Sequence, residues 1–228
     1  MPTAGVQVAI DGPAASGKTT VARRVADALG FLYLDTGAMY RALAWLALHT
    51  ETHVDNQAAL ARLCRTSPVR VELDRSAPMG FRVLAGEREL AREQLESSEV
   101  TSVVSIVAAH PLVREAMVEE QRRIADRSSV VMAGRDIGSV VLASAAVKIF
   151  LTASVEARVR RRRAQLEAAG IDLHAHELVT EVRERDRMDE ERTVSPLRKA
   201  PDALEIDSSD LSIDDVVARI CDIVRSRR

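Results

Sequence analysis

Lysine is nearly missing from this chain: Lys18, Lys148 and Lys199 are the only ones among 32 basic residues, and the rest are arginine. An isolated arginine is therefore weak evidence for a site, whereas a lysine inside a motif carries weight. Cysteine is scarce too. Cys64 and Cys221 are far apart, show no C-x-x-C spacing and have no histidine in a ligand pattern beside them, which excludes a disulfide framework and a zinc site. Surplus positive charge is absent: 32 basic and 34 acidic residues leave a formal net charge of -2. No global field exists to hold a polyanion by counterion release, so any phosphate site must be local. No stretch approaches the roughly 20 apolar residues of a membrane span. The opening Met1-Pro2-Thr3-Ala4-Gly5 lacks the basic region of an export signal. The expectation is a cytoplasmic protein. What is present fits an ordinary globular chain, with 46% apolar and 29% charged residues, and 228 residues suffice for one folded unit with insertions or lids.

The chain opens as a buried strand (Val6 to Ile10), a loop of small residues (Asp11 to Gly17) and a helix with Val21, Val25, Ala28 and Leu29 on one face. Gly30 ends that helix, Phe31 to Leu34 reads as a second strand, and Met39 to Leu48 returns to helical spacing. After a helix over Asn56 to Arg65 the texture changes. Val69 to Leu73 and Phe81 to Leu84 alternate strictly, joined by a turn with Pro78 and Gly80, and read as exposed antiparallel strands. Roughly Pro68 to Leu95 is then a small insertion beside the main sheet, either shaping a substrate pocket or serving as a decorative hairpin. Helices follow over Ser97 to Ala109 and Pro111 to Arg127, then buried strands at Val130 to Ala133 and Val147 to Leu151. An arginine-rich helix from Val155, a charged helix over Glu177 to Glu191, a strand at Leu204 to Ile206 and a helix opened by Ser212 complete the chain. Strands alternating with helices predict an α/β fold, a three-layer arrangement with a parallel sheet covered on both faces and ligands at the carboxyl ends of its strands.

Gly12-Pro13-Ala14-Ala15-Ser16-Gly17-Lys18-Thr19 satisfies G-x-x-x-x-G-K-[ST] between a strand and a helix, the context that a phosphate loop requires. Glycines let backbone N–H groups close around phosphate oxygens, and the helix start adds partial positive charge. Lys18 would neutralise the β and γ oxygens. Thr19 offers a hydroxyl where magnesium is usually met, directly or through water, and Thr20 could assist. The ligand is predicted to be ATP with Mg2+. No N-K-x-D guanine signature occurs.

Asp35-Thr36-Gly37-Ala38-Met39-Tyr40-Arg41 puts a hydroxyl, a phenol and a guanidinium at a helix start, where an anion is favoured. Arg41 either grips an acceptor phosphate or is a solvated helix residue. Arg185, Asp189 and Arg192 at i, i+4 and i+7 share a helix face, and taken alone they read as a surface ion-pair ladder. The run Arg158-Val159-Arg160-Arg161-Arg162-Arg163 is either a basic patch for nucleic acid or a lid that closes over the transferred phosphoryl group and excludes water, the lid being favoured.

These segments, together with Gly134-Arg135-Asp136-Ile137-Gly138, Val113-Arg114-Glu115, Val147-Lys148-Ile149-Phe150-Leu151 and Arg185-Asp186 through Ser195-Pro196-Leu197, resemble bacterial cytidylate (CMP) kinases of the nucleoside monophosphate kinase group over nearly the whole chain. The resemblance implies a P-loop kinase fold that transfers the ATP γ-phosphoryl group to CMP or dCMP. It implies that Ser105, Arg114 and Asp136 read the cytosine edge, that Thr36, Arg41 and Arg135 hold the acceptor phosphate with Tyr40 in the same motif, and that Arg185, Asp189 and Arg192 meet the pentose. Arg158, Arg161 and Arg162 match the family's lid arginines. Thr36 stands where the family often has serine. Asp35 is expected to hold magnesium through water. The implied organisation is one domain over 1–228, with an acceptor-binding insertion at about 66–109 and a lid at about 154–170, working as a monomer. A related small-molecule kinase and a nucleotide-dependent switch on nucleic acid are the alternatives.

Overall fold

The computed structural model describes residues 5–168, 170 and 175–227. The Met1–Ala4 part of the opening reading and residue 169 of the expected lid lie outside them. The core is a five-stranded, all-parallel sheet in the order β2-β6-β1-β7-β8. Its strands are β1 (Gln7–Asp11), β2 (Leu32–Asp35), β6 (Val130–Gly134), β7 (Val147–Thr152) and β8 (Leu204–Asp207). Val8, Ile10, Val130, Met132, Val147, Ile149 and Leu151 are all fully or almost fully buried. Each such side chain contributes about 1.5–3 kcal/mol relative to exposure. The first two strands extend one residue further than their apolar runs, to Asp11 and Asp35, whose carboxylates find N–H or hydroxyl donors at the carboxyl end of the sheet.

Two helices carry the ligand-facing ends of β1 and β2. Helix α1 (Lys18–Leu29) follows the phosphate loop and α2 (Thr36–His49) starts directly after β2, with Asp35 capping it by accepting from the Gly37 N–H at 3.0 Å. Helix α3 (Gln57–Thr66) leads into a second sheet of β3 (Val69–Leu73), β4 (Phe81–Ala85) and β5 (Arg88–Leu90), all antiparallel. The expected hairpin thus has a third strand, whose three residues are too few to display a period. Its strands are also not openly exposed. Val69, Phe81, Val83, Ala85 and Leu90 are buried on the face turned to α2, as strict alternation with one covered side requires. Tyr33 of β2 meets Phe81 with ring centroids 5.8 Å apart, which ties the two sheets together. On the other end of α2, Trp45 stacks on His49 at 3.8 Å, and the Arg88 guanidinium of β5 lies 5.0 Å from the Trp45 ring centroid.

The short helix α4 (Arg92–Leu95) and helices α5 (Ser98–Ala109) and α6 (Pro111–Ala125) return the chain to β6. Between β6 and β7 the sequence reading missed a π-helical turn, Ile137–Val141, with Leu142 N–H bonded to the Ile137 carbonyl at 2.6 Å. Helices α7 (Val155–Ala168) and α8 (Ala175–Glu190) follow β7, and α9 (Ile213–Ser226) follows β8. As expected, Ser212 caps α9, in a reciprocal box with Asp215. No helix among the described residues is long and apolar enough to cross a membrane.

Candidate functional site

Gly12 and Gly17 hold the phosphate loop in shapes that other residues resist, with φ of 154° and 91°. A Cβ on Gly12 would lie 2.0 Å from the Leu151 carbonyl oxygen, so the loop is pressed against β7. Gly17 offers no side-chain cap to α1, and the first turn of α1 has no acidic residue, which leaves its N–H donors and dipole uncompensated. The Ser16 hydroxyl is buried without a partner among the described residues. Lys18 is buried, with Nζ donating to the Pro13 carbonyl at 2.7 Å. Burial first, and Arg135 second, push its ammonium well below the usual lysine range, against the pull of Asp35 and Asp189. Thr19 donates its hydroxyl to Asp35 Oδ2 at 3.1 Å, while Thr20 is exposed on α1.

Two of the lid arginines rest on the same loop. Arg158 donates to the Ala14 carbonyl at 3.3 Å and pairs with Asp186 of α8 at 2.7 Å; Arg161 donates to the Ser16 carbonyl at 3.1 Å and to the Ser208 carbonyl at 2.6 Å. Arg162 turns instead to Glu181 on α8 at 2.8 Å. Only Arg160 and Arg163 are exposed, and Arg163 is spent on Glu167 within its own helix, so the run does not form an outward basic stripe.

A second group comes from α2, α5, α6 and α8 and from the turn that follows β6. Thr36 is buried and donates to the Ala133 carbonyl at 2.9 Å; Arg41 donates to the Leu95 carbonyl at 3.3 Å and to the Thr101 hydroxyl at 3.1 Å. Arg114 of α6 and Asp136 form a buried ion pair at 2.5 Å, with the guanidinium also donating to the Ala108 carbonyl and lying 5.3 Å from the Tyr40 ring centroid. The Tyr40 phenol is buried with no partner among the described residues, and burial pushes it up to about 12. Ser105 lies half-buried on α5.

Arg135 pairs with Asp189 at 2.6 Å, and Arg192 donates Nε to the Asp189 carbonyl at 3.3 Å. The ladder reading of Arg185, Asp189 and Arg192 is corrected here: α8 ends at Glu190, Arg192 folds back beyond it, and both Asp189 and the Arg192 side chain are buried. The exposed ladder starts on α8 with Glu184 and Arg187 and ends just past it at Glu191, each contact at 2.6 Å. Burial alone would raise the Asp189 carboxyl, but Arg135 and Arg192 outweigh it and hold it below the usual range. Arg185 is pushed down to about 10 by burial and then by Arg135 and Arg41, so three guanidiniums repel one another around the cleft.

Sequence reasoning missed three contributors: Asp186 and Glu181, which hold the lid arginines, and Asp11, whose carboxylate ends an otherwise apolar strand and accepts from Ile137 and Gly138. A buried charge ending such a strand is costly unless it is satisfied, and that was the available signal. A groove of ≈ 590 Å³ along α6 shares only Arg114 with the residues named above.

The family model described as cytidylate kinase matches residues 8–226. A cytidylate kinase of Geobacillus kaustophilus is 48% identical over 222 residues, 97% of each chain, and one of Geobacillus thermodenitrificans is 49% identical over 221 residues, 96% of each. Among solved structures, an uncharacterized protein from Eubacterium ventriosum superposes with a TM-score of 0.51 at 13% identity, covering 97% of this chain and 98% of that one. That likeness shows the fold alone.

Proposed function

The chain belongs to the cytidylate kinase family, and on that premise we propose that it transfers the γ-phosphoryl group of ATP to CMP or dCMP, yielding ADP and CDP or dCDP. What supports the two-site reading is a second set of guanidiniums near Lys18: Arg135 is held by Asp189 at 2.6 Å, Arg41 by the Leu95 carbonyl and the Thr101 hydroxyl, and Arg185 stands close enough to both for their charges to push it down, a repulsion that an acceptor phosphate would relieve. In the reaction an oxygen of the CMP phosphate bonds to the γ phosphorus as its bond to the bridging oxygen of ADP breaks. The acceptor is already an anion, so the step needs positioning and charge stabilisation more than a base.

On this reading Gly12 to Thr20 bind ATP and Lys18 neutralises its phosphates. Arg158, Arg161 and Arg162 exchange their protein oxygens for phosphate oxygens when the lid closes. Thr36, Arg41 and Arg135 hold the acceptor phosphate, Arg185, Asp189 and Arg192 the pentose, and Ser105, Arg114 and Asp136 the base. The buried Arg114–Asp136 pair supports this, since its donor and acceptor edges can match a cytosine. Thr19 and Asp35 bring two hard oxygens within 3.1 Å, and magnesium as a rule takes one or two such groups plus phosphate and water, so these residues fit the ion of Mg-ATP. Bound there, it would supply charge neutralisation to the phosphate oxygens.

The proposed organisation is one domain over 1–228 with its acceptor-binding insertion at about 66–109 and its lid at about 154–170, working as a monomer. ATP as donor and the free cysteines Cys64 and Cys221 support a cytoplasmic setting. A coupled assay of ADP release with CMP, dCMP, UMP and AMP tests the function. Cytidine nucleotides should be turned over best, and a clear preference for AMP or UMP would overturn the assignment.

A further inference from the structure

Asp11, the last residue of β1 before the phosphate loop, is bonded to the turn that follows Asp136. Its two carboxylate oxygens are used separately: Oδ1 accepts from Ile137 N–H and Oδ2 from Gly138 N–H, both at 2.7 Å. Those donors open the π-helical turn immediately after Asp136, and Asp136 does not cap the turn itself because its carboxylate is engaged by Arg114. The cap comes instead from a residue 126 positions away, on the neighbouring strand. Gly138 makes this close approach feasible, since a Cβ there would lie 3.3 Å from both Asp11 Oδ2 and the aliphatic chain of Lys148.

On its other side Asp11 is bonded to Gly12, which is wedged against the Leu151 carbonyl. A shift of the Asp136 turn therefore has a short, stiff route into the loop. No cation among the described residues forms a direct ion pair with the carboxylate, and Lys18 acts on it only through space. Lys148 is committed to Asp202 and the Ala143 carbonyl, Lys18 to the Pro13 carbonyl, and Asp136 to Arg114. An ionised group kept this deep without a directly bonded cation depends on its two N–H partners, so the bonds to Ile137 and Gly138 are ones the fold cannot lose cheaply.

We propose that Asp11 is a positioning residue that couples the two nucleotide sites, so that ATP on the phosphate loop tightens CMP at the Asp136 turn and CMP tightens ATP by the same factor. Reciprocity follows from linkage. The inference rests on the assignment of Asp136 to the acceptor base.

The test is the dissociation constant of CMP with and without a non-hydrolysable ATP analogue, and of the analogue with and without CMP, in the wild-type chain, in Asp11→Asn and in Gly138→Ala. Asparagine keeps one acceptor and aims an amide N–H at the other donor, while alanine at 138 disturbs the same bond from its far end and leaves the carboxylate in place. In the wild type each nucleotide should tighten the other by roughly fivefold or more. Either variant should bring that factor towards one, with the separate affinities changing less than the ratio. A wild-type factor of one overturns the proposal. So does a variant that keeps the wild-type factor, or one that weakens both nucleotides separately while leaving the factor intact, which is the signature of a purely structural role. If Asp11→Asn does not fold, Gly138→Ala decides. Asp136→Asn is measured alongside: unchanged CMP affinity there shows that the base assignment has failed, whereas the coupling factor in the Asp11 and Gly138 variants is judged independently of it.

Discussion

Arg158 of α7 and Asp186 of α8 form an ion pair at 2.7 Å, both largely shielded from water, and the same guanidinium reaches the Ala14 carbonyl of the phosphate loop. Two helices and the loop are thereby joined at one cation. Asp186→Asn leaves a buried guanidinium without its counter-charge, which should cost about 3 kcal/mol of unfolding free energy. Urea denaturation of the mutant and of Asp186→Asn/Arg158→Met measures it. The double variant, with no charge to strand, should recover much of the loss.

Lys18 sits in the opposite energetic situation. Its ammonium is disfavoured in the ligand-free protein and has a carbonyl as its hydrogen-bond partner. Lys18→Ala should therefore lower turnover by at least about 10³-fold while changing stability by less than about 1 kcal/mol. Single-turnover kinetics and thermal melts separate the two, and a folded mutant with near-normal turnover would contradict the assignment.

Asp11 should leave its mark on the pH dependence of stability. Burial, partly opposed by the Gly138 and Ile137 N–H bonds, raises its carboxyl from 3.8 to about 6, with Asp136 adding repulsion and Lys18 some attraction. Between those values the folded chain holds a proton that the unfolded chain has released, so stability falls as pH rises through about 4 to 6 and is level on either side. At about 1.4 kcal/mol per unit the difference between wild type and Asp11→Asn should shrink by about 3 kcal/mol across that window. Urea midpoints taken from pH 4 to 7 read it, and a difference that grows with pH would show the sign to be wrong.

Asp136→Asn should weaken CMP binding by roughly tenfold or more, the value of a charge-assisted hydrogen bond, and leave the ATP analogue bound alone within about twofold. Calorimetric titration of each nucleotide separately distinguishes this from a general collapse of the cleft, in which both would weaken alike.

The phosphate loop was legible in the sequence because all its chemistry is local: two glycines, a lysine and a threonine at fixed spacing between a strand and a helix. The parallel sheet was legible for a related reason, since strands buried on both faces must be continuously apolar. Arg192 was misread because helical periodicity was extended past Glu190, where the chain leaves the helix and turns its guanidinium inward. Neither β5, at three residues, nor the π-helical turn imposes a period that a sequence can display. Asp186 and Asp11 act through partners 28 and 126 positions away, and nothing in their own segments names those partners.

The indole of Trp45 is the only one in the chain, and it is held between an imidazole of its own helix and a guanidinium from the last strand of the small sheet. Its fluorescence is consequently a built-in gauge of that junction. Any sliding of β5 along α2 as the acceptor enters would change how closely two potential quenchers approach one fluorophore, and the movement would be visible in unmodified protein, without a dye or an introduced label.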